Sequence, residues 1–170
     1  MMRIGLLSDT HNMLDPAVFD HFKDVDEIWH AGDIGTLAIT DKLAAFKPVR
    51  AVYGNIDGND IRQHFPEHLK WTCEEVKVWM THIGGYPNRY DARVKAEIQR
   101  HPPDLFICGH SHILKVIYDQ KLKLLHINPG AAGRYGIQTV STLVRFSIVG
   151  KEINDLQVIE LKRDRKVEKD

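Results

Sequence analysis

Seven side chains able to bind hard or borderline cations stand at the ends of five short apolar runs: Asp9 and His11, Asp33, Asn55, His82, and His110 with His112. Mixed imidazole, carboxylate and amide ligation suits manganese, iron, cobalt or zinc rather than an all-oxygen calcium or magnesium cage. A single catalytic zinc keeps about three protein ligands and an open position, so seven ligands are too many for one ion and suit two ions that share one. Taken singly, each residue has an ordinary explanation. Asp9 and Asp33 could cap helices, His82 could sit in a turn, and Asn55 could be a left-handed residue in Gly54-Asn55-Ile56-Asp57. Their recurrence at successive run ends is what favours a metal site. Asp9 and His11, like His110 and His112, are two residues apart, which in extended backbone puts both side chains on one face about 6 to 7 Å apart. Each pair could serve one ion or straddle two.

The runs that carry these residues read as strands over residues 4–7, 27–31, 49–53, 77–80 and 105–108. Between them, Pro16 opens a helical segment with Val18, Phe19 and Phe22 on one face, and residues 36–46 and 89–100 have helical spacing, closed by Pro48 and by His101-Pro102-Pro103. In open α/β sheets, ligands collect beyond the carboxyl ends of the strands, so residues scattered in sequence should converge there. The texture then changes. Residues 114–118, 122–127, 140–148 and 153–161 read as strands without intervening helices, an antiparallel meander. A parallel α/β portion joined to a β-rich portion in so short a chain suggests two sheets packed face to face with helices outside.

With 170 residues the chain suits one domain, expected over residues 1–161, followed by a charged tail over 162–170. Lys plus Arg and Asp plus Glu both number 23, so the formal net charge is zero and a protein that coats polyanions is disfavoured. No contiguous basic track suggests a nuclease, and residues 89–100 mix Asp91 and Glu97 with their four cations. The first apolar run is too short for a signal-peptide core or a membrane span, which places the protein in the cytoplasm, away from membranes. Cys73 and Cys108 form no CxxC pattern and read as reduced, buried thiols. Ten histidines are many for this length.

The series Asp9-Thr10-His11, Gly32-Asp33, Gly54-Asn55, Thr81-His82 and Gly109-His110-Ser111-His112 resembles the calcineurin-like metallophosphoesterase superfamily, over residues 3 to about 150. The short chain and the Asn128-Pro129-Gly130 turn are similar to its small bacterial and archaeal phosphodiesterase branch. The resemblance implies a four-layer α/β/β/α sandwich of two mixed sheets. It also implies that Asp9, His11, Asp33 and His112 bind one ion and that Asp33, Asn55, His82 and His110 bind the other, with Asp33 bridging. Manganese is the first expectation; iron, cobalt, nickel or zinc would also suit. The family's fuller motif has a histidine after Gly-Asn that assists the leaving group or the phosphate charge, and here Ile56 stands in its place.

The reaction expected is hydrolysis of a phosphodiester by a hydroxide that bridges two metals, with both cations stabilising the phosphate oxygens. Two divalent ions, two aspartates, one hydroxide and one diester anion sum to neutrality, whereas a monoester dianion leaves an excess negative charge. Asp57 and Asn55 are the catalytic candidates beside that hydroxide, Asp57 as an acceptor that orients its neighbours. Asn12, Tyr86, Arg89, Arg134 and Tyr135 are candidates for contact with a small phosphate ester because they lie in loops near the ligands. His30 is expected to point away from the metals, and His21, His64, His68, His101 and His126 are given no role. Trp29, Trp71 and Trp79 read as packing. A phosphomonoesterase or nucleotide phosphatase is the nearest alternative, a noncatalytic interaction scaffold a more distant one, and a homo-oligomer is left open.

Overall fold

The computed structural model of the chain describes residues 1–136 and 140–162. One sheet contains β1 (Met2–Leu7), β2 (Glu27–His30), β3 (Val49–Ala51), β11 (Val140–Val149) and β12 (Glu152–Lys162), in the order β12-β11-β1-β2-β3. The second contains β4 (His68–Cys73), β5 (Val76–Thr81), β8 (Leu105–Ile107), β9 (Lys115–Asp119) and β10 (Leu124–Asn128), in the order β4-β5-β8-β10-β9. The centre of each is parallel: β1 with β2 and β3, and β5 with β8 and β10. A short hairpin, β6 (Gly85–Tyr86) and β7 (Arg89–Tyr90), stands apart.

Three apolar layers make this a four-layer sandwich. Between the sheets, Ile4, Leu6 and Trp29 meet Val78, Met80, Leu105 and Ile107. The alternate residues of the same strands face outward, as the two-residue period of a strand requires. On the first sheet Leu7 and Ile28 pack under α1 (Ala17–His21), α2 (Leu37–Ala44) and α3 (Asn59–His64) through Val18, Leu43 and Ile61. On the second, Trp79 and Phe106 pack under α4 (Ala92–Arg100) through Val94 and Ile98. Strands buried on both faces become the near-continuous apolar runs seen in the sequence.

Three expectations need correcting. The last third is no single meander: the β9–β10 hairpin extends the second sheet beside β8, while β11 and β12 return to the first sheet beside β1. The helix expected from residue 89 begins at Ala92, where the Asp91 side chain caps it by accepting from the Arg93 N–H; Arg89 belongs to the small hairpin. Helix α3 and edge strand β4 lie in a stretch with no assignment from sequence, because α3 buries only Ile61 and β4 is half-exposed along most of its length. Lys162, where the charged tail was expected to begin, ends β12, and residues 163–170 lie outside the described residues. Trp29 and Trp79 are core residues, and both cysteines are buried and free.

Two fully buried histidines give the fold a pH dependence. Burial pushes His126, packed near Phe106, down to about 4, and does the same to His30. Between about pH 4 and 6.5 the unfolded chain therefore binds protons that the folded chain does not, so stability falls as pH is lowered through that window. Each group contributes about 3 kcal/mol at most to that loss. Denaturant unfolding at pH 7 and pH 4.5 is expected to show the decline, and His126→Phe is expected to flatten it; an unchanged slope in the variant would refute the assignment to His126.

Candidate metal centre

The ligand candidates sit where parallel strands run out. Asp9 and His11 follow β1, Asp33 follows β2, Asn55 follows β3, His82 follows β5, and His110 and His112 follow β8, so the two sheets present them along one edge of the sandwich. Loop-to-loop hydrogen bonds fix them: Asp9 N–H donates to Gly32 O (2.9 Å), His11 N–H to Asp33 O (3.0 Å), and Gly109 N–H to His82 O (2.9 Å). Five of the seven have left-handed backbone, with φ of 53° at Asp9, 46° at His11, 55° at Asp33, 71° at His110 and 61° at His112. The extended geometry expected for the two i, i+2 pairs is therefore wrong. Turning the chain at these residues sends His110 and His112 to different partners and keeps Asp9 with His11.

Each aspartate is used from both ends. Asp9 Oδ2 accepts from Ser8 Oγ (2.6 Å) and from the His110 N–H (3.2 Å). Its Oδ1 lies 3.1 Å from His112 Nε2, 3.7 Å from His82 Nε2 and 3.8 Å from His11 Nε2. Asp33 Oδ1 accepts from the Ile56 N–H (3.1 Å), and its Oδ2 lies 3.2 Å from His82 Nε2 and 3.4 Å from His11 Nε2. His82 Nδ1 is 2.7 Å from Ala31 O, which only a protonated Nδ1 can satisfy, so in the neutral ring, the form that binds a metal, the Nε2 lone pair is aimed at the carboxylates. Lone pairs facing lone pairs call for a cation between them. Asp9 Oδ1, His11 Nε2 and His82 Nε2 are buried without a hydrogen-bond partner, the state expected of metal ligands.

The donors fall into two groups, Asp9 with His11 and His112, and Asp33 with His82 and His110, the ligand atoms of each group lying within 4.8 Å of one another. Asn55 Oδ1 joins the second group, 3.0 Å from His110 Nδ1. The electrostatics match a cation site. Burial raises Asp9, but His11, His112 and His82 outweigh it and hold the carboxyl below its usual range. Burial likewise opposes ionisation of Asp33 and His82, yet their contact lowers the one and raises the other. His110 is pushed down by burial and by the charge of His82. The residues thus fit two divalent ions with nitrogen and oxygen ligands.

A family model for the calcineurin-like phosphoesterase superfamily domain matches residues 2–151. The chain belongs to that superfamily. A probable metallophosphoesterase of Methanothermobacter thermautotrophicus is 31% identical over 76% of this chain and 77% of its own length. A phosphodiesterase of Methanocaldococcus jannaschii is 27% identical over 84% and 92%. Among solved structures, an archaeal phosphodiesterase covers 94% of this chain and 100% of its own at a TM-score of 0.72 and 24% identity. The zinc complex of Vps29 from Entamoeba histolytica covers 95% and 99% at a TM-score of 0.72 and 18% identity. The last two show a shared fold.

In this calcineurin-like phosphoesterase the sequence named one residue that holds the ligands in place, Asp57 as an acceptor that orients its neighbours, and gave no sign of the bracing done by His30 and Asn128. Asp57 is buried, and its carboxylate accepts from Gly54 N–H (2.8 Å), Ile34 N–H (3.1 Å) and Gly35 N–H (2.9 Å), tying the Asn55 turn to the Asp33 loop. His30 points away from the metal ligands, as expected, and is a strut. It accepts from the Gly32 N–H at Nδ1 (3.1 Å) and lies 3.0 Å from Thr10 Oγ1, which itself donates to Ile34 O, so His30 Nε2 carries the proton. Asn128 Nδ2 donates to Gly109 O (3.0 Å) and Ser111 Oγ (3.1 Å), bracing the His110 loop. Gly54 permits the closest approach, since a Cβ there would fall 2.1 Å from Asp33 Oδ1. None of these contacts has a sequence periodicity to announce it.

The five candidates for substrate contact separate. Tyr135 stacks on His11 with ring centroids 4.8 Å apart. Asn12, whose Oδ1 accepts from Thr36 Oγ1 (2.5 Å), and Arg134 line a cleft of about 360 Å³ on the His11 side. Tyr86 instead lies under Lys115, and Arg89 lines a different cleft with Lys95 and Lys121 that holds none of the ligand candidates. On the His82 side, a cavity of about 210 Å³ is lined by Asn55, His82, Tyr53, Arg62, Arg93 and the single carboxylate Glu67, the last four unassigned from sequence.

Proposed function

We propose that the chain is a dinuclear-metal phosphodiesterase whose aspartates and histidines hold two divalent ions, manganese first among them. The observation that carries this reading is the position of Asp33 Oδ2, 3.4 Å from His11 Nε2 and 3.2 Å from His82 Nε2, between the two donor groups. The superfamily membership and the phosphodiesterase-named relative support it. Ions bound there would supply a Lewis-acid centre that acidifies water and draws charge from the phosphate oxygens. Asp9 and Asp33 bring two negative charges to that centre, so it stays cationic when loaded and suits an anionic ester. Their outer oxygens are already engaged by Ser8, His110 and Ile56, which fixes the inner ones in direction. Asn55 and His110 form the open rim where an ester would arrive, and Asp57 acts as a positioning residue through the backbone of that rim.

Metal analysis of the purified protein, followed by turnover of matched diesters and monoesters, tests the proposal. Two ions per chain with preference for the diester are expected; preference for the monoester would replace it with the phosphatase reading.

Position 56 offers a separate check. The Ile56 side chain is 47% exposed while its N–H holds Asp33, so a larger polar side chain fits without disturbing the cluster. Ile56→His is expected to raise kcat about tenfold or more for diesters with alkyl leaving groups and little for 4-nitrophenyl esters, because only the former need a proton donor. Equal effects on both would remove the argument that an acid is missing.

A further inference from the structure

The cavity on the His82 side has a chemistry that metal ligation does not explain. Arg62 comes from α3, packed outside the first sheet, and Arg93 from α4, packed outside the second, yet both reach one cavity whose floor includes Asn55 and His82. Arg62 is held rigidly. Its Nε–H donates to Asp57 O (2.6 Å) and its guanidinium lies over the Tyr53 ring, 4.5 Å from the centroid. The Tyr53 hydroxyl is itself anchored, donating to Glu67 Oε2 (3.3 Å). That arrangement uses the Nε and the face of the guanidinium and leaves its terminal nitrogens for a ligand. Arg93 spends one terminal nitrogen on Asp91, at 3.1 and 3.2 Å. A pre-oriented guanidinium loses little entropy on binding an oxyanion, which is the condition for real affinity.

Resting on the phosphodiesterase reading, we infer that this cavity binds a second phosphate carried by the ester's alcohol, so the preferred substrates are diesters with a further phosphate beside the scissile one. Two guanidinium groups from separate helices lining one cavity suit an anion with oxygens in several directions better than a flat carboxylate, which one arginine can satisfy alone. At about 210 Å³ the cavity is smaller than a whole-ligand pocket and matches part of a substrate. Its continuity with Asn55 and His82 sets that part next to the reacting phosphate.

The experiment compares the 4-nitrophenyl ester of thymidine 5′-phosphate with its 3′-phosphorylated counterpart, using manganese-loaded protein, and reads KM and kcat separately. At least a tenfold lower KM for the 3′-phosphorylated diester is expected, with the ratio falling toward one in Arg93→Ala and in Arg62→Gln. A common KM for the two esters, or a preference that survives both substitutions, overturns the inference. Binding is measured independently by calorimetry on EDTA-treated protein with thymidine 3′,5′-bisphosphate. There the bare carboxylates of Asp9 and Asp33 repel anions, and Arg93→Ala is expected to weaken binding at least fivefold. Binding indifferent to both substitutions overturns the inference whatever the turnover. Arginine-dependent binding without hydrolysis of either ester would retire the phosphodiesterase reading and leave the phosphate site standing.

Discussion

Asp33→Asn is expected to strip both ions from the protein and to lower diester turnover by at least a thousandfold. Among the described residues the carboxylate is the one donor with imidazoles of both groups inside 3.5 Å of a single oxygen, so on the proposed reading its charge would be shared by both ions and its loss felt by both. The amide keeps an oxygen for the Ile56 N–H, and the loop should stay in place, which separates loss of charge from loss of structure. Asp9→Asn is the control. Asp9 Oδ1 lies closest to His112, at 3.1 Å, in the first donor group, so this variant should give up one ion and retain the other. Metal content by elemental analysis, set beside turnover at saturating manganese, reads both outcomes. If the two variants lost the same number of ions, Asp33 would not be a bridge.

The second large effect is on stability. Asp57→Ala removes the acceptor for three backbone N–H groups, those of Gly54 and Ile34 in buried positions and that of Gly35 in a partly buried one. An unsatisfied buried donor costs about 1 to 3 kcal/mol, so the variant should lose roughly 3 to 5 kcal/mol. Denaturant unfolding in EDTA measures this free of any contribution from bound metal. Asp57→Asn, which keeps the shape and one acceptor oxygen, should fall between; a loss under about 1 kcal/mol in the alanine variant would show that the turn does not depend on the carboxylate. Metal affinity should fall with stability, because the same three bonds join the Asn55 turn to the Asp33 loop.

Much of this was legible in the residues, for reasons that differ by element. Strands β1, β2, β5 and β8 are buried on both faces and leave dense apolar runs, and each stops at a polar ligand, so sequence alone points to six of the seven donors at one edge; Asn55 follows β3, which is short and only half-buried over its first two residues. The halves of the last third were not legible as to partner. A hairpin such as β11–β12 looks alike whether it joins one sheet or the other, and only packing against β1 decides. Edge strand β4, with Trp71 and Leu69 half-buried among polar neighbours, has too weak an alternation to stand out. In the site, the donors announce themselves by type and by recurrence at run ends, and Asp57 by its place beside Asn55, while His30 and Asn128 act through backbone groups that carry no side-chain signature. Arg62 and Arg93 were hidden for another reason: their nearness depends on two helices on opposite outer faces, 31 positions apart in sequence, meeting over the sheet edges.

The left-handed backbone at Asp9, His11, Asp33, His110 and His112 bears on the order of assembly. For a side chain other than glycine that conformation costs roughly 1 to 2 kcal/mol, less for Asp and His than for branched residues. In this chain the cost is met by contacts that involve no ion: the Asp9, His11 and Gly109 N–H bonds to neighbouring loops, the His30 strut and the packed strands beneath. A zinc finger draws its fold from its ion. Here the cradle is complete once the sandwich has formed, so the chain is expected to fold first and load afterwards, and to exchange one ion for another without the polypeptide having to find its shape again.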